Sequence, residues 1–556
     1  MIRSTLAGGA LLMLAACGTP QAPEPMAPAA PAPTQTVVLS ESIRVLASDE
    51  FGGRGPTSEG EQMTVDYVSR QWAAAGFEPA GANGSWVQPV TLRRFEMDAP
   101  EASISVGGRM IRLDQGEEIT MSTRLPDADG RVEMDGLPLV FVGYGTNAPE
   151  RNWNDFDGID VRGKIIVVLI NDADFEAPGL NTFNGAAMTY YGRWTYKFEE
   201  AARQGAAGVL IVHEDDPASY GWSTVRNSWA QAQFDIERAD PASERTVLEA
   251  WITRDTAVEV FAQAGLDFDA LKAQARTPEF QAVEIPGATF DASYQLTTET
   301  IQTANIVGRL PGTSHADETI LFTAHWDHIG IGQPDANGDA IFNGAVDNAT
   351  GVASLIEFAR LFGSGPRPER SIVVLAFTAE EKGLLGSEFY AANPMFDPAL
   401  TVAGFNFDGM NVLGRMTDIS VTGSGYSSLE VDLARHAALQ GRTVAADTEP
   451  QAGYYFRSDH FPLANRGIPM LYADGGTALR VGGAEAVRAA SADYRAHRYH
   501  QADDEWSADW DLEGMAEDIM LMYGMGLELA NSREWPRWND GTEFQLIRAR
   551  TDDRRQ

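Results

Sequence analysis

Histidines and carboxylates recur beside short apolar runs in the C-terminal half of the chain. The segment "LFTAHWDHIG" carries His325, Asp327 and His328, and "FNGAVDNATGV" places Asp347 and Asn348 ahead of a helix-like stretch. In "AFTAEEKGLLGS" the neighbours Glu380 and Glu381 come just after the apolar residues 372–377, with Thr378 and Ala379 between; "AGFNFDGMN" supplies Asp408, and "RYHQADDEW" supplies His500 and Asp504. Each position has a local explanation of its own: a core histidine, an aspartate capping a helix or turn, a solvated glutamate pair. A bound metal explains all of them at once, because it neutralises carboxylates that would otherwise repel or take up protons. Imidazole mixed with carboxylate, without thiolate, suits zinc, then manganese or cobalt, rather than calcium or magnesium. Two histidines and at least three carboxylates exceed what one catalytic zinc with an open position requires. They suit two zincs about 3.5–4 Å apart that share a carboxylate.

The elements that must position these residues read as an α/β domain. Strand-like runs at residues 319–323, 372–377, 402–407 and 468–472 alternate with helix-like runs at 351–362, 428–440 and 512–530. That alternation predicts a sheet covered on both faces, with functional groups just beyond the strand ends. Farther upstream, Met63, Tyr67, Val68 and Trp72 fall at helical spacing, and Gly76 ends that helix. Between residues 137 and 260 the pattern changes to "LPLVFVGYG" and "GKIIVVLIND" around a turn-rich segment, then the helical "YKFEEAARQ" and a further strand. No internal repeat is visible.

The motifs "AHWD", "VDNATG", "EEKGLLGS", "NFD" and "YHQADD", in this order, resemble the bacterial two-zinc aminopeptidase family, which also includes glutamate carboxypeptidases. The resemblance covers residues from about 39 to 130 and from about 290 to 530. It implies a zinc exopeptidase-like fold: a mixed, mostly parallel central sheet flanked by helices. The intervening stretch is similar to the protease-associated domain, a small lid-like insertion. The expected division is therefore a first peptidase segment at 39–130, the insertion at 131–285, the catalytic segment at 286–535 and a tail at 536–556.

The resemblance also implies roles. His325 and Asp408 would bind one zinc, Glu381 and His500 the other, and Asp347 would bridge them, leaving Glu380 as general base. Asp327 and Asp504 would orient His325 and His500, and Tyr499 would stabilise developing oxyanion charge. The segment "FRSDHFPLANRGIPMLY" resembles one that lines the family's substrate pocket, which makes Arg457, Asp459 and His460 candidates for substrate contact. The implied reaction releases N-terminal amino acids from peptides. The zincs would lower the pKa of a bridging water and polarise the scissile carbonyl, while Glu380 would carry the proton from water to the leaving amine. Alternatives are a carboxypeptidase or dipeptidase of the same fold, for which Arg457 alone is available to hold a free carboxylate. Two others are a one-zinc glutaminyl cyclase and a noncatalytic, receptor-like relative.

Composition narrows the partners. The 556 residues carry a formal net charge of −37, and no basic patch of the kind that binds nucleic acid is present. The one cysteine, Cys17, closes "MIRSTLAGGALLMLAAC", in which Arg3 precedes an apolar run too short to span a bilayer. The ending "LAAC" resembles a bacterial lipobox, and residues 18–38 form a Pro/Ala-rich linker. Residues 1–17 thus read as a lipoprotein signal peptide. The expectation is a protein of the bacterial cell envelope that meets the membrane through a lipid anchor only. Gly18 rather than aspartate after the cysteine points to the outer membrane of a Gram-negative host. Cys17→Ser is accordingly expected to abolish lipid labelling and move the protein to the soluble fraction or leave it unprocessed. Unchanged membrane fractionation, with no lipid label on the wild type, would refute the anchor.

Overall fold

The computed structural model describes residue 1 and residues 34–126, 130–335 and 337–555. Cys17, its apolar leader and most of the linker lie outside them. Helix α1 (Glu59–Ala74) turns Val68 and Trp72 inward, with Met63 and Tyr67 packed at its margin. The long strand β1 (Val87–Val106) follows. Then come β2 (Gly130–Phe141), β3 (Ile165–Leu169), helix α2 (Trp194–Arg203), β4 (Gly208–His213) and β5 (Leu248–Thr253). Strands β2, β3, β4 and β5 pair in parallel in that order.

A second long strand, β6 (Val283–Leu310), pairs antiparallel with β1 from Thr289 to Ile306 and links this part to the next. Its first half also pairs with β2, and its last residues pair with the strand Arg370–Phe377 of the C-terminal part. The C-terminal part contains β7 (His315–His325), helix α3 (Thr350–Ser364), β8 (Arg370–Phe377), β9 (Thr401–Asn406), β10 (Met470–Asp474), helix α4 (Gly483–His497) and helix α5 (Glu513–Ala530). Strands β8, β7, β9 and β10 lie side by side in parallel, with antiparallel β6 beyond β8. Among the described residues, both parts share one sheet of 16 strands. The fold is mixed α/β, with a large, mostly parallel sheet flanked by helices.

The apolar runs behave as doubly covered strands should. Every residue of β8 is buried; Ile372, Val374 and Ala376 face a core built with α1, α3 and α5, while Val373, Leu375 and Phe377 face Phe461, Trp538 and Phe544. The expected division at residue 131 is not where the pairing changes. Strands Arg109–Leu113 and Ile119–Ser122 already pair with β1 and β5, so the changeover runs along β1 and β6. A strand that serves two layers carries no turn signal where it crosses between them.

Phe322 on β7 fixes one face of the sheet in the C-terminal part. Its ring lies 4.6 Å from Phe358, 5.1 Å from Phe405 and 5.4 Å from Phe362, centroid to centroid. Phe322→Ala is expected to cost ~3–5 kcal/mol of stability, the range for emptying an aromatic site in a packed core. Denaturant unfolding measures it, and a loss below about 1 kcal/mol would show that the face repacks around the gap.

Candidate active site and metal centre

The parallel strands deliver the chemistry at their carboxyl ends. His325 is the last residue of β7 and pairs with Phe377, the last of β8, so the turn carrying Glu380 and Glu381 rises beside it. Asp408 follows β9 on the other side, and Asp347 sits in the turn before α3. His325 Nε2 lies 3.2 Å from Asp408 Oδ1 and 3.3 Å from Asp347 Oδ1. His500, just beyond α4, brings its Nε2 to 3.3 Å from Asp347 Oδ2 and 3.2 Å from Glu381 Oε2. Asp347 therefore faces both histidines, one with each oxygen.

Supporting contacts hold these groups. The Val346 and Asp347 amides donate to the two carboxylate oxygens of Asp504 at 3.1 Å each, and Tyr494 donates to Asp504 Oδ2 at 3.2 Å. Asp504 thus fixes the Asp347 turn rather than the imidazole of His500. Asp327 also acts differently from expectation. Its backbone carbonyl lies 3.1 Å from His325 Nδ1, closer than its carboxylate at 3.8 Å, and Oδ1 accepts the Glu380 amide at 3.1 Å. Ser458 donates to Asp408 Oδ2 at 2.7 Å, and Asn406 donates to Ser458 Oγ at 2.8 Å. Gly344 has φ +55°, and a Cβ there would meet Asp347 O and the His328 ring. Only glycine lets the turn approach that closely.

Under the carboxylates lies Arg54, fully buried. It donates to the carbonyls of Leu46, Trp326, Asn343 and Gly344 at 2.7–2.9 Å. Burial lowers its pKa to about 10, against the pull of Asp504, Asp347, Asp327 and Glu381, so it remains a cation. Elsewhere burial and charge pull in opposite directions. Burial disfavours a charged His325, but Asp408 and Glu380 outweigh it and hold the imidazole well above its usual range. Asp347 is buried too, yet His325 and His500 keep it well below the usual carboxylate range. Burial, with Asp408 and Glu381 adding to it, pushes Glu380 well above that range. Two adjacent glutamates are thereby set apart, since Glu381 is held low by His500 and His328 despite its burial.

Two donor sets fit a metal: His325, Asp347 and Asp408, and His328, Asp347 and Glu381, each with ligand atoms within 4.8 Å of one another. His328 Nδ1 approaches Glu381 Oε1 to 2.6 Å, but off the direction of a hydrogen bond, so both atoms are buried without a partner. Orphaned nitrogen and oxygen atoms converging with carboxylates are what a divalent cation satisfies, and a sulfur-free set of imidazole and carboxylate fits zinc. Glu380 belongs to neither set.

A cleft of about 1860 Å³ opens over these residues, lined by Asp347, Glu380, Glu381, Asp408, Tyr499 and His500 on one side. The other side comes from the second part, including Tyr190, Arg193, Trp194 and Tyr220. Tyr190 anchors that wall, its ring 4.9 Å from Phe461. The Tyr499 ring stacks on His500 at 3.9 Å, and burial plus the carboxylates push its phenol pKa up, which keeps the hydroxyl a donor. Arg457 lines the cleft; Asp459 and His460 do not. Both are fully buried below it. His460 packs 4.5 Å from the Tyr455 ring and is held neutral by burial, its pKa lowered to about 3. The segment's helix, His460–Ala464, turns those side chains inward, which corrects their assignment as substrate contacts.

Sequence reading missed Arg54, Ser458 and Arg193, and gave His328 no role. Arg54 sits in "FGGRGP", where no periodicity betrays burial; Arg193 lies far from the motifs in the chain.

Part of the chain is similar to known peptidases. Residues 305–524 match peptidase family M28, which spans every residue of both donor sets. A probable zinc metalloprotease of the fungus Pyrenophora tritici-repentis is 40% identical over 88 residues, 16% of this chain and 20% of the relative. The chain thus spans about a fifth of that relative's length. A probable lipoprotein aminopeptidase of Mycobacterium tuberculosis is 22% identical over 367 residues, 66% of this chain and 56% of the relative. Among solved structures, an aminopeptidase from Aneurinibacillus sp. strain AM-1 is 20% identical with a TM-score of 0.47, covering 89% of this chain and 94% of its own. The histidine and carboxylate cluster thus lies within the stretch that is similar to peptidase family M28.

Proposed function

We propose that the protein is a zinc-dependent aminopeptidase releasing N-terminal residues from peptides. The observation that carries this reading is the pair of donor sets joined through Asp347, with Glu380 beside them and bound into neither. His325 and Asp408 would hold one zinc, Glu381 and His500 a second, and Asp347 both, with His328 close to the second set. Zinc at these positions supplies Lewis acidity toward the substrate carbonyl and a water of lowered pKa.

The chain's own residues do the rest. Glu380, its carboxyl held well above the usual range, accepts the proton of the attacking water and passes it to the leaving amine. Tyr499 donates toward the oxygen on which negative charge develops. The substrate's ammonium meets the carboxylates that line the cleft, Asp408 among them, and is attracted by their opposite charge. Arg457 lies in the same cleft as a contact for the rest of the peptide. The match of residues 305–524 to a peptidase family and the similarity to the mycobacterial lipoprotein aminopeptidase support the reading. That similarity also supports a lipid anchor at Cys17 and a place in the bacterial envelope. Among the described residues no helix is long and apolar enough to cross a membrane. We read the second part as a protease-associated-like wall of the cleft.

Glu380→Gln should retain zinc and fold while turnover drops at least about a hundredfold, the scale of general-base catalysis. Metal analysis beside kinetics decides it, and near-normal turnover would remove Glu380 from the mechanism. The end of the peptide that is read is tested by blocking it. Acetylating the N-terminus of a short peptide should nearly abolish cleavage, whereas its C-terminal amide should still be cut. If the acetylated peptide is cut and the amide is not, the carboxypeptidase reading replaces this one.

A further inference from the structure

The wall opposite the carboxylates carries a cation without an anion. Arg193, the residue before α2, is 8% exposed and lines the cleft. Its Nε is buried with no hydrogen-bond partner, and no carboxylate among the described residues lies within ion-pair distance of its guanidinium. Other cleft-lining arginines of this wall are neutralised. Arg124 lies 2.8 Å from Glu249, Arg203 2.8 Å from Glu200, Arg238 2.9 Å from Asp235 and Arg245 2.7 Å from Asp235.

Arg457 reaches the same place from the C-terminal part. Its guanidinium lies over the rings of Tyr454 and Tyr220, at 5.2 and 5.8 Å, and spends one donor on the carbonyl of Ala452. It has no carboxylate partner either, and its Nε is also unpaired. Burial, and then the charge of Arg457, lower the pKa of Arg193 to about 9, so the two cations act on each other across Tyr220. A buried, unpaired guanidinium destabilises the fold unless something anionic meets it. Trp194 and Thr195, the first residues of α2, line the cleft beside Arg193, so the positive end of that helix faces the same space.

We propose that Arg193 and Arg457 together form a subsite for a carboxylate of the bound peptide. That carboxylate is either the free C-terminus of a short peptide or an acidic side chain. Guanidinium groups suit it because their planar forks match a carboxylate's two oxygens. The inference rests on the peptidase reading above and adds to it a second contact, made with the part of the substrate that remains after the N-terminal residue leaves. The second part of the chain then contributes to specificity through Arg193, beyond covering the site.

The test separates this subsite from the peptidase reading by measuring binding apart from turnover. Zinc-loaded Glu380→Gln protein is titrated with three peptides: a neutral tripeptide acid, its C-terminal amide, and the amide with glutamate in place of one glutamine. At least one carboxylate-bearing form should bind about tenfold or more tightly than the neutral amide. Adding Arg193→Met should shrink that ratio to below about threefold. It should also raise the thermal midpoint of the protein, because an unpaired buried charge is removed; a residue of purely structural value would lower it. Tight binding of the acid alone assigns the subsite to the C-terminus, and of the glutamate peptide alone to a side chain. Equal binding of all three peptides, or a ratio that survives Arg193→Met, overturns the proposal. Hydrolysis of the neutral amide by the wild type reports on the peptidase reading by itself.

Discussion

Asp327, Asp347, Glu380, Glu381, Asp408 and Asp504 crowd beyond the ends of strands that are buried on both faces, where like charges repel far more strongly than in water. Much of the surrounding structure can be understood as an answer to that repulsion. Arg54 sits under the cluster with no exposure and spends its donors on carbonyls, so its charge stays in place whatever the carboxylates do. Asp504 faces backbone amides, and Asp408 faces a serine. His325 and His500 take the sides left open. What these contacts leave unmatched, the orphaned atoms of Glu381 and His328 above all, is the share assigned to metal.

The same repulsion explains why two neighbours in the chain diverge. Glu381 points at His500 and is held ionised, while Glu380 has only burial and like charge around it apart from His325. A side chain that is reluctant to ionise beside others that are forced to is ready to take up a proton. The tight turn after β8, rather than any feature of glutamate, makes this difference.

How far the sequence could be read follows from which interactions leave a local trace. Strands β7, β8 and β9 announced themselves because burial on both faces produces uninterrupted apolar runs, and His325, Glu381 and Asp408 announced themselves because they stand at or just beyond the ends of those runs. His325, Asp347, Glu381, Asp408 and His500 come together as expected. Asp459 and His460 misled, since a polar pair beside a pocket-like segment looks the same whether a short helix turns it outward or inward. Arg193 left no trace at all. Its significance depends on what is missing around it, and an absent partner can only be recognised in three dimensions.

The two long strands β1 and β6 join the two sides of the cleft. They are hydrogen-bonded to each other along most of their length, with one register shift between Ser293 and Gln295, and no flexible loop interrupts them. A ribbon of this kind resists shear and in-plane bending but yields to torsion, most easily at a bulge, where twist already concentrates. Any change in the aperture of the cleft must therefore twist this ribbon and also part the contacts that clamp its two sides, Tyr190 on Phe461 and Arg238 on Glu388.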